Sequence, residues 1–132
     1  MGVAYGWKRD NSKNVPVDAA VDVTEGQVGK ITAEDTGNIC GAGEVPRGVY
    51  FVDVDISEDG TRTQLQTDGI AVCTCAAAIT DITLPVMAAA SGTVTPVTAN
   101  NDIIVGYPLN LQSTVGGQVS VDISTLGTFY GA

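Results

Sequence analysis

Four groups of residues have the types and spacing to do chemistry, and each implies a different protein. Asp53-Val54-Asp55-Ile56-Ser57-Glu58-Asp59-Gly60 has the alternating oxygen donors that open a calcium loop. Such a loop needs Gly at its sixth position and Glu at its twelfth. Counted from Asp53, those positions hold Glu58 and Gln64, so the stretch reads as the solvent face of a strand running into a turn. Cys73 and Cys75, with Cys40, offer soft-metal ligands, but a tetrahedral site needs four and the chain has no His. The three thiols therefore read as small buried hydrophobes. Gly41-Ala42-Gly43 lacks the third glycine of a dinucleotide fingerprint and opens no helix. The fourth group, Tyr5, Trp7, Lys8 and Arg9, combines the residue types that anchor protein interfaces. The other reading of that cluster has Trp7 folding back onto its own barrel.

The thiols also speak to compartment. Three is an odd number, which argues against a disulfide framework and for synthesis in a reducing environment. Two residues apart on a strand, Cys73 and Cys75 point the same way with Cα atoms about 6.6 Å apart, at the edge of disulfide geometry. A bridge from Cys40 to either of them is the other reading. Lys8, Arg9 and Asp10 interrupt the N-terminus before any apolar stretch of signal-peptide length, so no leader is expected.

Several function classes fall away at this level. Without His the chain lacks the usual general base near neutral pH and the commonest metal ligand. No Gly-x-Ser-x-Gly, Walker sequence or acid/base carboxylate pair is present. The expectation is a protein that is not an enzyme, with no catalytic residues, cofactor or metal. Six Lys and Arg against fifteen Asp and Glu give a net charge of −9, which disfavours nucleic acid and anionic membranes as partners.

The elements that would position these residues are strands. The 132 residues suit one domain, with 44% apolar residues and 16 glycines favouring strands and turns over helices. Residues 1–14 show neither helical nor strand periodicity and read as an extended N-terminal arm; residues 15–132 form the β-barrel domain. Strands are expected at Gln27–Thr32, Gly48–Ile56, Thr61–Thr67, Ile70–Cys75, Ile103–Leu111, Gln118–Ile123 and near Gly127–Tyr130. Asp35–Gly43 reads as a loop and Ala76–Asp81 as a short helical turn. Val86–Ala90 and Thr93–Thr98 form a hairpin about Ser91-Gly92, with Pro96 demoting its second arm to an edge or a bulge. Ile70–Cys75 is apolar on both faces and reads as fully buried. The expected core includes Val52, Val54, Ile70, Val72, Val105, Tyr107, Leu109, Val119 and Val121. Eight to ten short strands with frequent turns make an all-β barrel or sandwich.

One order of segments is recognisable. Asp68-Gly69-Ile70-Ala71-Val72 precedes an alanine-rich stretch, then Leu84-Pro85-Val86, Ala90-Ser91-Gly92-Thr93-Val94, Ile103-Ile104-Val105-Gly106-Tyr107-Pro108-Leu109 and Gly117-Gln118-Val119-Ser120-Val121. This resembles the small β-barrel capsid decoration (cement) proteins of tailed bacteriophages, over about Gly26 to Ile123. The resemblance implies a structural virion protein made in the host cytoplasm. It would bind the outer surface of the major capsid protein lattice, often as a homotrimer, and stabilise it. The arm has no counterpart in that pattern, and its Tyr5, Trp7, Lys8 and Arg9 are the expected capsid contacts. The alternative is an extracellular or surface β-sandwich that binds a glycan or other ligand, a role for which exposed aromatics are scarce.

Overall fold

The computed structural model describes residues 14–131. Ten short strands form two regions, as an all-β chain of this composition should. The first is a closed barrel of β1 (Asn14–Ala19), β2 (Val28–Ala33), β3 (Thr36–Ile39), β4 (Gly48–Tyr50) and β5 (Arg62–Gln66) in the order β1-β3-β2-β4-β5. β1 pairs antiparallel with β5, placing Val15 opposite Leu65 and Val17 opposite Thr63, and parallel with β3. β2 and β3 form a hairpin whose turn puts Asp35 at φ 58°, a left-handed conformation that Asp tolerates.

Tyr50 organises the barrel interior, with Val17, Ala19, Val23, Val54 and Leu65 around it. Its ring is fully buried, and its hydroxyl donates to the Asn38 carbonyl at 3.1 Å. Two glycines make room for it. A Cβ on Gly29 would sit 2.7 Å from Tyr50 Cε2, and one on Gly37 would sit 2.6 Å from its hydroxyl.

The second region is a sheet in the order β6-β10-β9-β7-β8: β6 (Ile70–Thr74), β10 (Gln118–Asp122), β9 (Ile104–Pro108), β7 (Val86–Ala88) and β8 (Val94–Pro96). Its outer strands meet where Cys75 bridges Val94 and the Ala76 N–H donates to the Val94 carbonyl at 2.7 Å. Ala71, Cys73, Cys75, Val86, Val94, Val105, Val119, Val121 and Ile123 face one core. Val28, Cys40 and Val49 join that core from the barrel side. Strand alternation explains how β2 and β4 serve both regions: Gly29 and Tyr50 point into the barrel, and Val28 and Val49 point out of it into the second core. Gln66 Nε2 ties the regions further, donating to Asp68 O at 3.0 Å and Ile70 O at 2.8 Å.

Several expectations need correcting. Asp35–Gly43 is not a loop throughout, because Thr36–Ile39 pairs with β2. The strand begun at Gly48 ends at Tyr50; Phe51 and Val52 are exposed, and Val54 returns to the barrel through a bridge to Val23. The helix is not at Ala76–Asp81 but at α1 (Ile56–Asp59), where Asp55 caps it. The turn between β7 and β8 runs over Ala89–Thr93, with Ser91 in the left-handed region. β6 is buried on one face only. Ala71 and Cys73 are in, while Ile70 is 61% exposed and Val72 41%. Leu109 is also exposed and Tyr107 half-buried, whereas Val54, Val105, Val119 and Val121 are core. Asn14, assigned to the arm, is the first residue of β1 and pairs with Gln66.

Candidate functional site

The barrel's two ends differ. At one end the Val23–Val54 bridge, with N–O distances of 3.0 and 2.9 Å, and the half-buried Ile56 close the interior. At the other, where β1 and β4 begin and β2 and β5 finish, a cavity of about 420 Å³ opens. Val15, Ile31 and Leu65 form its inner wall, Val45-Pro46-Arg47 one rim, and Leu126-Gly127 another. The lining is apolar except for Thr67 and the exposed Arg47, so it suits an apolar or aromatic group with a cation beside it. Sequence reasoning missed this mouth, since its residues come from five separate stretches of chain and form no local motif.

The acidic stretch is accounted for by capping. Asp53 Oδ1 accepts the Glu25 N–H at 2.7 Å. Asp55 Oδ1 accepts the Ser57 N–H at 3.0 Å and its hydroxyl at 2.7 Å, while Asp59 Oδ2 accepts the Asp55 N–H at 3.0 Å. That reciprocal arrangement satisfies two backbone donors at the N-terminal end of α1. The Ser57 hydroxyl and N–H hold the Asp55 carboxyl below its ordinary range. The carboxylates thus point to separate backbone donors rather than converging on a cation. No group of three or more His, Cys, Asp or Glu among the described residues is placed to hold a metal.

Gly41-Ala42-Gly43 is closed by Glu44. Glu44 Oε1 accepts the Gly41 N–H at 2.7 Å, and Oε2 pairs with Lys30 Nζ at 2.6 Å. Lys30 first, then the Gly41 N–H, lowers the Glu44 pKa. A carboxylate on the loop's amide is the opposite of a phosphate cradle. Cys40, Cys73 and Cys75 are free thiols, all buried in the second core. Burial, with a smaller contribution from Glu44, pushes the Cys40 thiol up to about 11. Burial, then Cys75, pushes Cys73 up to about 12, so neither is a thiolate at neutral pH.

The sequence-derived contact residues Tyr5, Trp7, Lys8 and Arg9 lie outside the described residues. The structure does show where they join the domain, because β1 starts at Asn14, beside Val15 in the barrel mouth.

No protein-family model and no curated protein matches the sequence. The structure is similar to the crystal structure of the head fiber gp8.5 N base of bacteriophage phi29, with a TM-score of 0.66. The alignment covers 87% of this chain and 96% of that one at 16% identity. At that identity the likeness is one of fold: this chain's barrel and second sheet together match the N base almost end to end.

Proposed function

We propose that this chain is a structural protein of a bacteriophage virion, made in the host cytoplasm, that binds the outer surface of the major capsid protein lattice and stabilises it. The observation that carries the reading is the fold shared with the phi29 head fiber N base over 87% of the chain. The order of segments that resembles capsid decoration proteins supports it independently. The chemistry of the chain is in keeping with a binding role rather than catalysis: Asp53, Asp55, Asp59 and Glu44 accept from backbone N–H groups, its thiols are buried and protonated, and it has no His. A net charge of −9 keeps many copies on a capsid exterior soluble and away from DNA. In this reading the protein acts as a homotrimer, takes no nucleic acid or membrane partner, and contacts the capsid through Tyr5, Trp7, Lys8 and Arg9. Repeated weak contacts across a lattice add through multivalency.

Co-sedimentation tests this. The full chain is expected to pellet saturably with cognate capsids that lack it, and removal of residues 1–13 is expected to weaken pelleting. A full chain that stays in the supernatant contradicts the reading.

A further inference from the structure

The open barrel mouth is lined by apolar side chains, and the single tryptophan of the chain, Trp7, lies seven residues before the start of β1. At the mouth Val15 is 41% and Val45 56% exposed, and Ile31 and Leu126 are only partly buried. The barrel's opposite end is closed by its own residues, so this apolar wall is the part of its interior that the described residues leave to water. Residues 1–13 enter the domain at this place, because the next residue, Asn14, opens β1 and its neighbour Val15 lines the cavity. We propose that the mouth is the docking site of Trp7 from the same chain, so that in the free protein the N-terminal segment folds back across its own barrel.

The chain between Trp7 and β1 is suited to the reversal. Asp10-Asn11-Ser12 is a cluster of turn-forming residues placed between Trp7 and Asn14. Extended, the six residues between Trp7 and Asn14 reach about 3.3 Å each, roughly 20 Å in all, which leaves slack for a turn before the indole returns to Val15. The cavity of about 420 Å³ falls in the range that takes a small organic ring system. Arg47 on its rim offers a guanidinium to the indole face. A short tether also raises the local concentration of the indole to about the millimolar range, which favours the chain's own mouth over that of a second copy. Docking and capsid attachment would compete for the same side chain, and docking in the free chain holds whether or not the protein attaches to a capsid.

Trp7 is the sole tryptophan, so intrinsic fluorescence reads its surroundings directly. The full chain is expected to emit to the blue of its denatured form, with acrylamide quenching several-fold weaker. Val45→Glu, at an exposed loop position, should shift emission to the red and restore quenching while the far-UV circular dichroism stays native. Arg47→Glu, also exposed, serves as the second variant should Val45→Glu not fold. The emission should be unchanged on dilution. Native protein with denatured-like emission, or a blue emission indifferent to the folded rim variant, overturns the proposal; loss of the blue shift on dilution overturns docking within one chain and points to a second copy.

Discussion

Inside the barrel one aromatic ring, Tyr50, fills the space that Gly29 and Gly37 leave open, whereas the second core is filled by small side chains from five strands and from the barrel's outer wall. A closed barrel of five short strands encloses little volume, so its interior is a fit between one large group and a few missing Cβ atoms. The second sheet spreads the same task over Val, Ala, Cys and Ile residues, each of modest size. The difference teaches where stability is concentrated and where it is shared. β2 and β4 belong to both regions, so the two cores should still melt together. A single calorimetric transition is expected, and two resolved transitions would break the comparison at its root.

The largest effect should follow from emptying the barrel. Tyr50→Ala is expected to cost about 3–5 kcal/mol, the range for large aromatic truncations in a core. Val121→Ala in the second core should cost roughly 2 kcal/mol, because its neighbours are many and small. Equal losses in denaturant unfolding would mean that the barrel is not organised about one ring. Gly29→Ala comes next. The new methyl would lie 2.5 Å from Leu65 Cδ2 as well as against Tyr50, and overpacking of this kind costs about 1–3 kcal/mol. Pairing it with Tyr50→Phe, which removes the hydroxyl's bond to the Asn38 carbonyl, sharpens the test.

The thiols of the second core set a pH dependence. Their folded pKa values lie above the ordinary 9.0, so the unfolded chain loses these protons first as pH rises. Stability from Cys40 and Cys73 is therefore complete below pH 9 and declines as pH climbs toward about 11 and 12. Tyr50, also raised to about 12 by burial, adds to the decline above its ordinary 10.0. Asp55, Asp81 and Asp102 are lowered by hydrogen bonds, and their contribution is lost as pH falls below the ordinary carboxyl value of 3.8. Melting temperatures across pH should be flat between these limits, and the native thiols should resist a disulfide reagent at pH 8. Rapid labelling of all three would contradict their burial. The smallest effect is Thr63→Val. Thr63 Oγ1 is buried in the barrel without a hydrogen-bond partner, so the swap should be neutral or stabilise by about 1 kcal/mol.

Much of the second region was legible in the sequence, and less of the barrel. Val119, Val121 and Ile123 alternate with Gln118, Ser120 and Asp122, and strand periodicity needs nothing more. Pro96 left an edge or a bulge open for β8, and the sheet order puts it at an edge. The same logic failed on β6, where it favoured Ile70 and Val72 as core. The structure buries Ala71 and Cys73 instead, since the space between the sheet and the barrel wall takes small side chains. β3 was missed because Thr36-Gly37-Asn38-Ile39 carries no apolar alternation. Its glycine answers to the ring of Tyr50, a contact no local pattern encodes. Of the candidate sites, the calcium-like stretch and the glycine loop were set aside on spacing, and in the structure their carboxylates accept from backbone N–H groups. The barrel mouth was invisible, since Val15, Val45 and Leu126 become neighbours only when the barrel closes.

The central claim is attachment to a capsid exterior, and a cryo-electron microscopy map of cognate capsids with and without this protein tests it most directly. The account predicts added density on the outer surface at local three-fold positions, into which three copies of the barrel and second sheet fit. Identical maps, or density confined to the capsid interior or the tail, would contradict it.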